Sequence, residues 1–292
     1  MACDPLDDAA KHEALLSPLD LDAEPPESFH VTFETTKGNF TVLFERNLAP
    51  LGVKRVYNLV ANGFYDGARF YRVLKNWVCQ FGVSPDPAVS AVYDYTRDVP
   101  GAKLENDEVR ASNVRGSVAF SSAMEEASGQ SVNRTTELYV NYLDSNARLD
   151  SLGFAPVGRV VRGMGVVEDF YAGYGEMVDA CDLHPEKGNL CKGVNETLLY
   201  TQGEAYLSRD FPKLDVILSA TLDGHACSEQ GAGTQPASLT VSVLVALIAS
   251  VLLCFVFAGH KYGKRRERDQ QVQLRAYTNL REEDDDGEGD GG

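Results

Sequence analysis

Between His30 and Leu222 polar and apolar residues alternate in short runs, the pattern of half-buried strands. His30-Val-Thr-Phe-Glu-Thr-Thr puts Val31, Phe33 and Thr35 on one face, and Asn39-Phe-Thr-Val-Leu-Phe follows the break at Lys37-Gly38. Two such runs around so short a break predict a hairpin. Arg69-Phe-Tyr-Arg-Val-Leu, Trp77-Val-Cys-Gln-Phe, Gly116-Ser-Val-Ala-Phe, Glu137-Leu-Tyr-Val-Asn, Val157-Gly-Arg-Val-Val and Leu214 to Leu222 continue the pattern. The period changes after Pro50, where Val53, Val56, Tyr57 and Val60 recur at three- and four-residue steps. That spacing predicts a helix from Leu51 to about Asn62 with one buried face, ended by Gly63 and Gly67. Gly163 to Tyr171 reads as a short helix, and Gly203 to Asp210 as a loop or short helix. Many short strands with about two helices predict a mainly β fold, a closed barrel with helical caps.

The flanks follow other rules. Residues 1–27 hold Asp4, Asp7, Asp8, Glu13, Asp20, Asp22, Glu24 and Glu27 against one lysine, Lys11, with Pro5, Pro18, Pro25 and Pro26. With no clear apolar face, this segment reads as a flexible acidic arm ahead of a packed domain over 28–222. It lacks the basic start and apolar run of a signal peptide. After a linker, 223–238, comes Leu239 to Gly259, uncharged and free of proline. At about 1.5 Å per residue it reaches roughly 30 Å, the thickness of a hydrocarbon core. A buried core helix is the alternative, but Lys261, Lys264, Arg265, Arg266 and Arg268 follow at once, as on the cytoplasmic side of a single-pass span. The expectation is a transmembrane helix over 239–259, a cytoplasmic tail over 260–292, and the domain on the luminal or extracellular side. Tail-anchored insertion with a cytosolic domain stays open, because no N-terminal signal is visible.

Two patterns bear on the side of the membrane. Cys181 and Cys191 flank a polar, loop-like stretch and suggest a small disulfide-closed loop, with two free thiols as the alternative. Asn39, Asn133 and Asn195 each open an Asn-x-Thr glycosylation pattern.

Composition narrows the function classes. Lys+Arg is 27 against Asp+Glu 43, a formal net charge of −16, which argues against nucleic acid as the main partner. The six cysteines include no Cys-x-x-Cys pair, and His12, His30, His184, His225 and His260 have no metal-ligand spacing. The acidic run after Glu282 reads as a solvated end.

Several motifs now fall in order. Thr36-Lys-Gly-Asn-Phe, Ala49-Pro, Asn58-Leu, Gly63-Phe-Tyr-Asp-Gly and Arg69-Phe-Tyr-Arg-Val resemble the opening of a cyclophilin. Trp77-Val-Cys-Gln-Phe-Gly is similar to that family's active-site strand, and Leu149-Asp-Ser-Leu-Gly-Phe-Ala-Pro-Val-Gly and Tyr206-Leu-Ser-Arg-Asp-Phe-Pro-Lys-Leu-Asp to elements of one of its subgroups. The resemblance spans roughly 28–222. It implies an eight-stranded closed barrel with two capping helices, peptidyl-prolyl cis–trans isomerase activity on proline-containing polypeptides, and no cofactor or metal.

Carried over residue by residue, the resemblance makes Arg72 the catalytic arginine and Gln80 the neighbouring polar residue that holds substrate backbone. Trp77 and Val78 match the proline slot. Phe120-Ser121-Ser122 takes the place of the family's Met-Ala-Asn groove segment, Tyr139 that of the phenylalanine flooring the pocket, and Leu149 that of a pocket leucine. Three departures stand out. Arg148 replaces a frequent tryptophan that contacts cyclosporin, so weak cyclosporin binding is expected. Phe154 falls near a frequent active-site histidine. Glu137 replaces a glutamine and brings a carboxylate near Arg72; pairing between them would draw the guanidinium from substrate and lower turnover. A tethered module that binds proline peptides without useful turnover is the competing expectation.

Overall fold

The computed structural model describes residues 5–179 and 191–223. Cys181, the linker beyond 223, the apolar run 239–259 and the tail 260–292 lie outside the described residues. Among the described residues no helix is long and apolar enough to cross a membrane.

The chain order is α1 (Pro5–Leu15), β1 (Ser28–Thr35), β2 (Gly38–Glu45), α2 (Pro50–Ala61), β3 (Arg72–Val73), β4 (Val78–Phe81), α3 (Pro87–Tyr93), β5 (Ser117–Phe120), β6 (Ala123–Met124), β7 (Ser131–Val132), β8 (Leu138–Asn141), a 3-10 segment Asp144–Leu152, β9 (Pro156–Arg162), α4 (Met164–Glu168), α5 (Glu196–Asp210) and β10 (Ile217–Leu222). Eight strands form one sheet in the order β10-β1-β2-β9-β5-β8-β4-β3, and β6 pairs β7 separately. The expected closed barrel is corrected here. No strand ladder joins β3 to β10; the two ends meet through an isolated bridge, Arg69–Val216. Three backbone bonds support it, from Gly67 to Ile217 (2.8 Å), Ile217 to Ala68 (2.8 Å) and Phe70 to Asp215 (3.1 Å).

Alternation fills the concave side of this sheet. Val31, Phe33, Phe40, Val42, Phe44, Cys79, Phe81, Leu138, Val140 and Val157 all join one core. Its centre is aromatic: Phe33 stacks on Phe40 at 4.8 Å and Phe70 on Phe170 at 3.9 Å. Each such burial contributes about 2–3 kcal/mol. Helix α2 covers one end with Val53, Val56 and Val60 of the face read from sequence, joined by Leu59, while Tyr57 is only half-buried. Pro50 suits the first turn of α2, but Ala49 before it offers no cap. Asp107 supplies the cap from a distant loop, accepting from Leu51 N (3.0 Å) and Gly52 N (2.9 Å). Arg134 lies against the same carboxylate at 3.1 Å, both side chains buried.

The acidic arm is not a loose tail. α1 and a 3-10 turn at Pro18–Asp20 lead it along the domain, and Leu15 and Leu21 enter the main core. Asn58 of α2 clamps it, donating to Ala23 O (2.8 Å) and accepting from Ala23 N (3.0 Å). Two of its acids are paired to the domain: Lys54 holds Asp22 and Glu24, and Arg46 holds Glu24. The segment read as a loop or short helix at 203–210 belongs to a longer helix. α5 starts at its Asn195 cap and kinks at Gly203, φ 52°. A Cβ there would sit 2.3 Å from Pro85 O, so glycine lets α5 pass the start of α3.

Candidate active site

Strand register builds the site. Arg72 of β3 pairs with Gln80 of β4, Gln80 with Tyr139 of β8, and Tyr139 with Ala119 of β5. These residues therefore form a row on the face opposite the barrel core, with Val78 two residues along β4 from Gln80. Cys79 points the other way, and burial pushes its thiol up to about 12.

A hydrogen-bond chain runs along the row. Arg72 Nη1 donates to Gln80 Oε1 (2.5 Å), and Gln80 Nε2 donates to Ser121 Oγ (2.8 Å). The guanidinium also lies over the Trp77 ring, 4.7 Å from its centroid. Arg72 is thus gripped on an edge and a face, the rigid setting a donor needs if it is to act at one place. Beside it Trp77, Val78, Ala119, Tyr139, Leu149 and Phe154 form a single apolar cluster with Met124. Tyr139 and Phe154 meet edge to face at 6.1 Å. An apolar cluster thus lies next to a fixed cation.

A polar hub positions that cluster. Asn113, fully buried, donates from its side-chain amide to Asp150 Oδ1 (2.7 Å) and Phe154 O (2.7 Å). Its Oδ1 accepts from Tyr139 Oη (2.9 Å) and Asn141 Nδ2 (3.1 Å). Asn146 ties the 3-10 segment to the strand end through Trp77 O (2.9 Å) and Asn141 Oδ1 (2.7 Å). Asn113 carried no signal in sequence; it is one polar residue in a polar loop.

Most of the expected residues converge, namely Arg72, Gln80, Trp77, Val78, Ser121, Tyr139, Leu149 and Phe154. Three are placed elsewhere. Phe120 faces the main core, under α2 and the Arg134 guanidinium. Ser122 bonds Ser131 across the β6–β7 pair (2.6 Å). Glu137 accepts hydrogen bonds from Tyr71 Oη and Tyr200 Oη. Burial first, then the Glu137 charge, hold both phenols well above the ordinary tyrosine value. The carboxylate on Arg72 belongs to Glu176, which accepts from Nε (2.6 Å) and Nη2 (2.7 Å). Glu176 lies 104 residues away in sequence, beyond the reach of any motif.

Of the remaining sites, Cys191 is disulfide-bonded, and Cys181 lies outside the described residues. Asn39 is exposed at the β1–β2 turn. Asn133 is half-buried with φ 58°. Asn195 spends its side chain on structure: Oδ1 caps α5 by accepting from Leu198 N, and Nδ2 donates to Asp179. Among the described residues no group of side chains could hold a metal ion.

Comparison with known proteins gives the family. The family described as "Cyclophilin type peptidyl-prolyl cis-trans isomerase/CLD" matches residues 30–182. "Peptidyl-prolyl cis-trans isomerase A" of Dickeya dadantii is 32% identical over 146 residues, 48% of this chain and 70% of that protein. "Peptidyl-prolyl cis-trans isomerase B" of Escherichia coli is 26% identical over 65% of this chain and 96% of its own length. A solved cyclophilin-type isomerase of Cryptosporidium parvum aligns with a TM-score of 0.46 at 13% identity, over 68% of this chain and 99% of its own. The chain belongs to the cyclophilin-type peptidyl-prolyl cis–trans isomerase family. It is an enzyme of that isomerase class.

Proposed function

We propose that Arg72 and Gln80 isomerise Xaa-Pro bonds of polypeptide clients while the chain is tethered to a membrane through 239–259. The barrier to be lowered is about 18–20 kcal/mol and comes from amide resonance. At the top of it the amide is twisted, the proline nitrogen is pyramidal and it regains a lone pair. A fixed guanidinium donating there stabilises the twisted state over both planar ones. The apolar cluster of Trp77, Val78, Tyr139, Leu149 and Phe154 grips the pyrrolidine ring while Gln80 holds the substrate backbone. The observation that carries this reading is the Arg72–Gln80–Ser121 chain beside that cluster.

The test is an Xaa-Pro peptide isomerisation assay on the full-length chain in detergent. Arg72→Ala is expected to lower the rate about a hundredfold, the usual loss for one transition-state donor. Equal rates would leave a second reading, a proline-peptide-binding module without turnover. One observation favours that reading: Arg72 is buried and salt-bridged to Glu176.

The membrane tether rests on the uncharged run and its basic flank. The disulfide at Cys191 supports a luminal or extracellular domain, where the enzyme would assist folding of secretory or membrane proteins. Protease treatment of intact vesicles tests both, because a luminal domain survives until detergent is added. Arg148 in place of an aromatic residue supports weak cyclosporin binding.

A further inference from the structure

We infer that Glu176 is an internal competitor for the Arg72 guanidinium, which a prolyl substrate must displace; this rests on Arg72 being the cation that substrate meets. Three observations carry it. First, Glu176 meets Arg72 with both oxygens, at 2.6 Å on Nε and 2.7 Å on Nη2, the strongest planar geometry open to an arginine. Second, the exposures are unequal. The Arg72 side chain is 5% exposed and that of Glu176 17%, so the carboxylate is the outer partner and covers the inner one. Third, the cover comes from outside the sheet. Glu176 sits in the segment after α4, held by Gly193 N on its carbonyl (2.8 Å) and by Met177 N on Oε1 (2.9 Å).

The arrangement separates two duties. Gln80 and the Trp77 ring hold the guanidinium from within the row through Nη1 and its face, while Glu176 takes Nε and Nη2. The carboxylate adds charge neutralisation and cover. A neutral amide is a weaker acceptor than a carboxylate, so substrate meets the guanidinium only in the fraction of molecules from which Glu176 has withdrawn. Apparent affinity falls by that fraction. Withdrawal moves the carboxylate toward water and leaves the Arg72–Gln80–Ser121 chain in place.

The test uses the full-length chain in detergent and a neutral Ala-Pro-containing tetrapeptide. Binding is read from the fluorescence of Trp77, the one tryptophan in the sequence and the ring beneath Arg72. Glu176→Gln is expected to tighten binding about tenfold, which corresponds to a bridged population on the order of 90%. kcat/KM should rise with it. In an Arg72→Ala background the same change should gain nothing, because the two residues act as one unit. Unchanged or weaker binding by Glu176→Gln would overturn the inference, as expected of a residue that only positions Arg72. If that variant does not fold, hydrogen exchange over 171–178 of the unmodified chain decides. Saturating peptide should speed exchange there, and unchanged or slower exchange overturns the inference. Arg72→Ala alone keeps the two failures apart: a full rate in that variant removes the catalytic assignment, whatever Glu176→Gln does.

Discussion

Asp107→Ala should strongly destabilise the domain, although Asp107 touches no part of the active site. Its carboxylate accepts from Leu51 N and Gly52 N and faces the Arg134 guanidinium at 3.1 Å, with both side chains 2% exposed. Two losses follow from one truncation. The first turn of α2 loses its cap, about 1 kcal/mol. Arg134 keeps a buried charge without its counter-charge, and breaking such a pair costs about 3–5 kcal/mol. Burial already pulls Arg134 below the ordinary arginine value, with Asp107 opposing that shift. A combined loss of about 4–6 kcal/mol compares with a typical total stability of about 5–15 kcal/mol. The assay is urea unfolding of the full-length chain in a non-denaturing detergent, followed by Trp77 fluorescence. The expected signature is a large fall in midpoint with an unchanged slope. Adding Arg134→Met should recover about half of the loss, because the stranded charge is then gone. A loss under about 1.5 kcal/mol for Asp107→Ala, or no recovery in the double variant, would refute the reasoning.

Two further outcomes are expected. Cys79 is fully buried with its thiol pushed up to about 12, so maleimide at pH 8 should leave it unmodified until urea is added; peptide mass mapping checks this, and rapid native labelling would contradict it. The arm should detach in acid before the barrel opens. Glu24 is held below the ordinary carboxylate value by its bond from Lys54, and Asp86 by its bond from His12. A depressed carboxylate stabilises the docked state above its unfolded pKa and loses that contribution as pH falls through the folded value. Hydrogen exchange over 8–24 should therefore rise below about pH 4 while β1 and β2 stay protected; loss of protection in step with them would contradict it.

What was legible in the sequence was what period and local spacing determine. The 3.6-residue face of α2 was visible because Val53, Val56 and Val60 all join the apolar core. The strand alternation through 77–81 already placed Val78 and Gln80 on one side and Cys79 on the other. Long-range polar pairing was not legible. Glu137 lay in register beside the site and looked like the partner of Arg72, but Tyr71 and Tyr200 claimed it, and Glu176 arrived from a segment with no periodic signal. The arm misled in the same way: it showed no clear apolar face, yet Leu15 and Leu21 enter the core, and Lys54 and Arg46 pair with Asp22 and Glu24. The triplet at Asn195 carries two meanings. It fits a sugar acceptor, and it is also a helix start whose asparagine already uses both ends of its amide.

The Asn113 amide joins the ring that floors the slot, through Tyr139, to the wall that borders it, through Phe154 and Asp150. One planar group thus fixes both surfaces, and they behave as a single casting. Prising the Tyr139 ring from the Phe154 backbone would first have to break the bonds of that one amide.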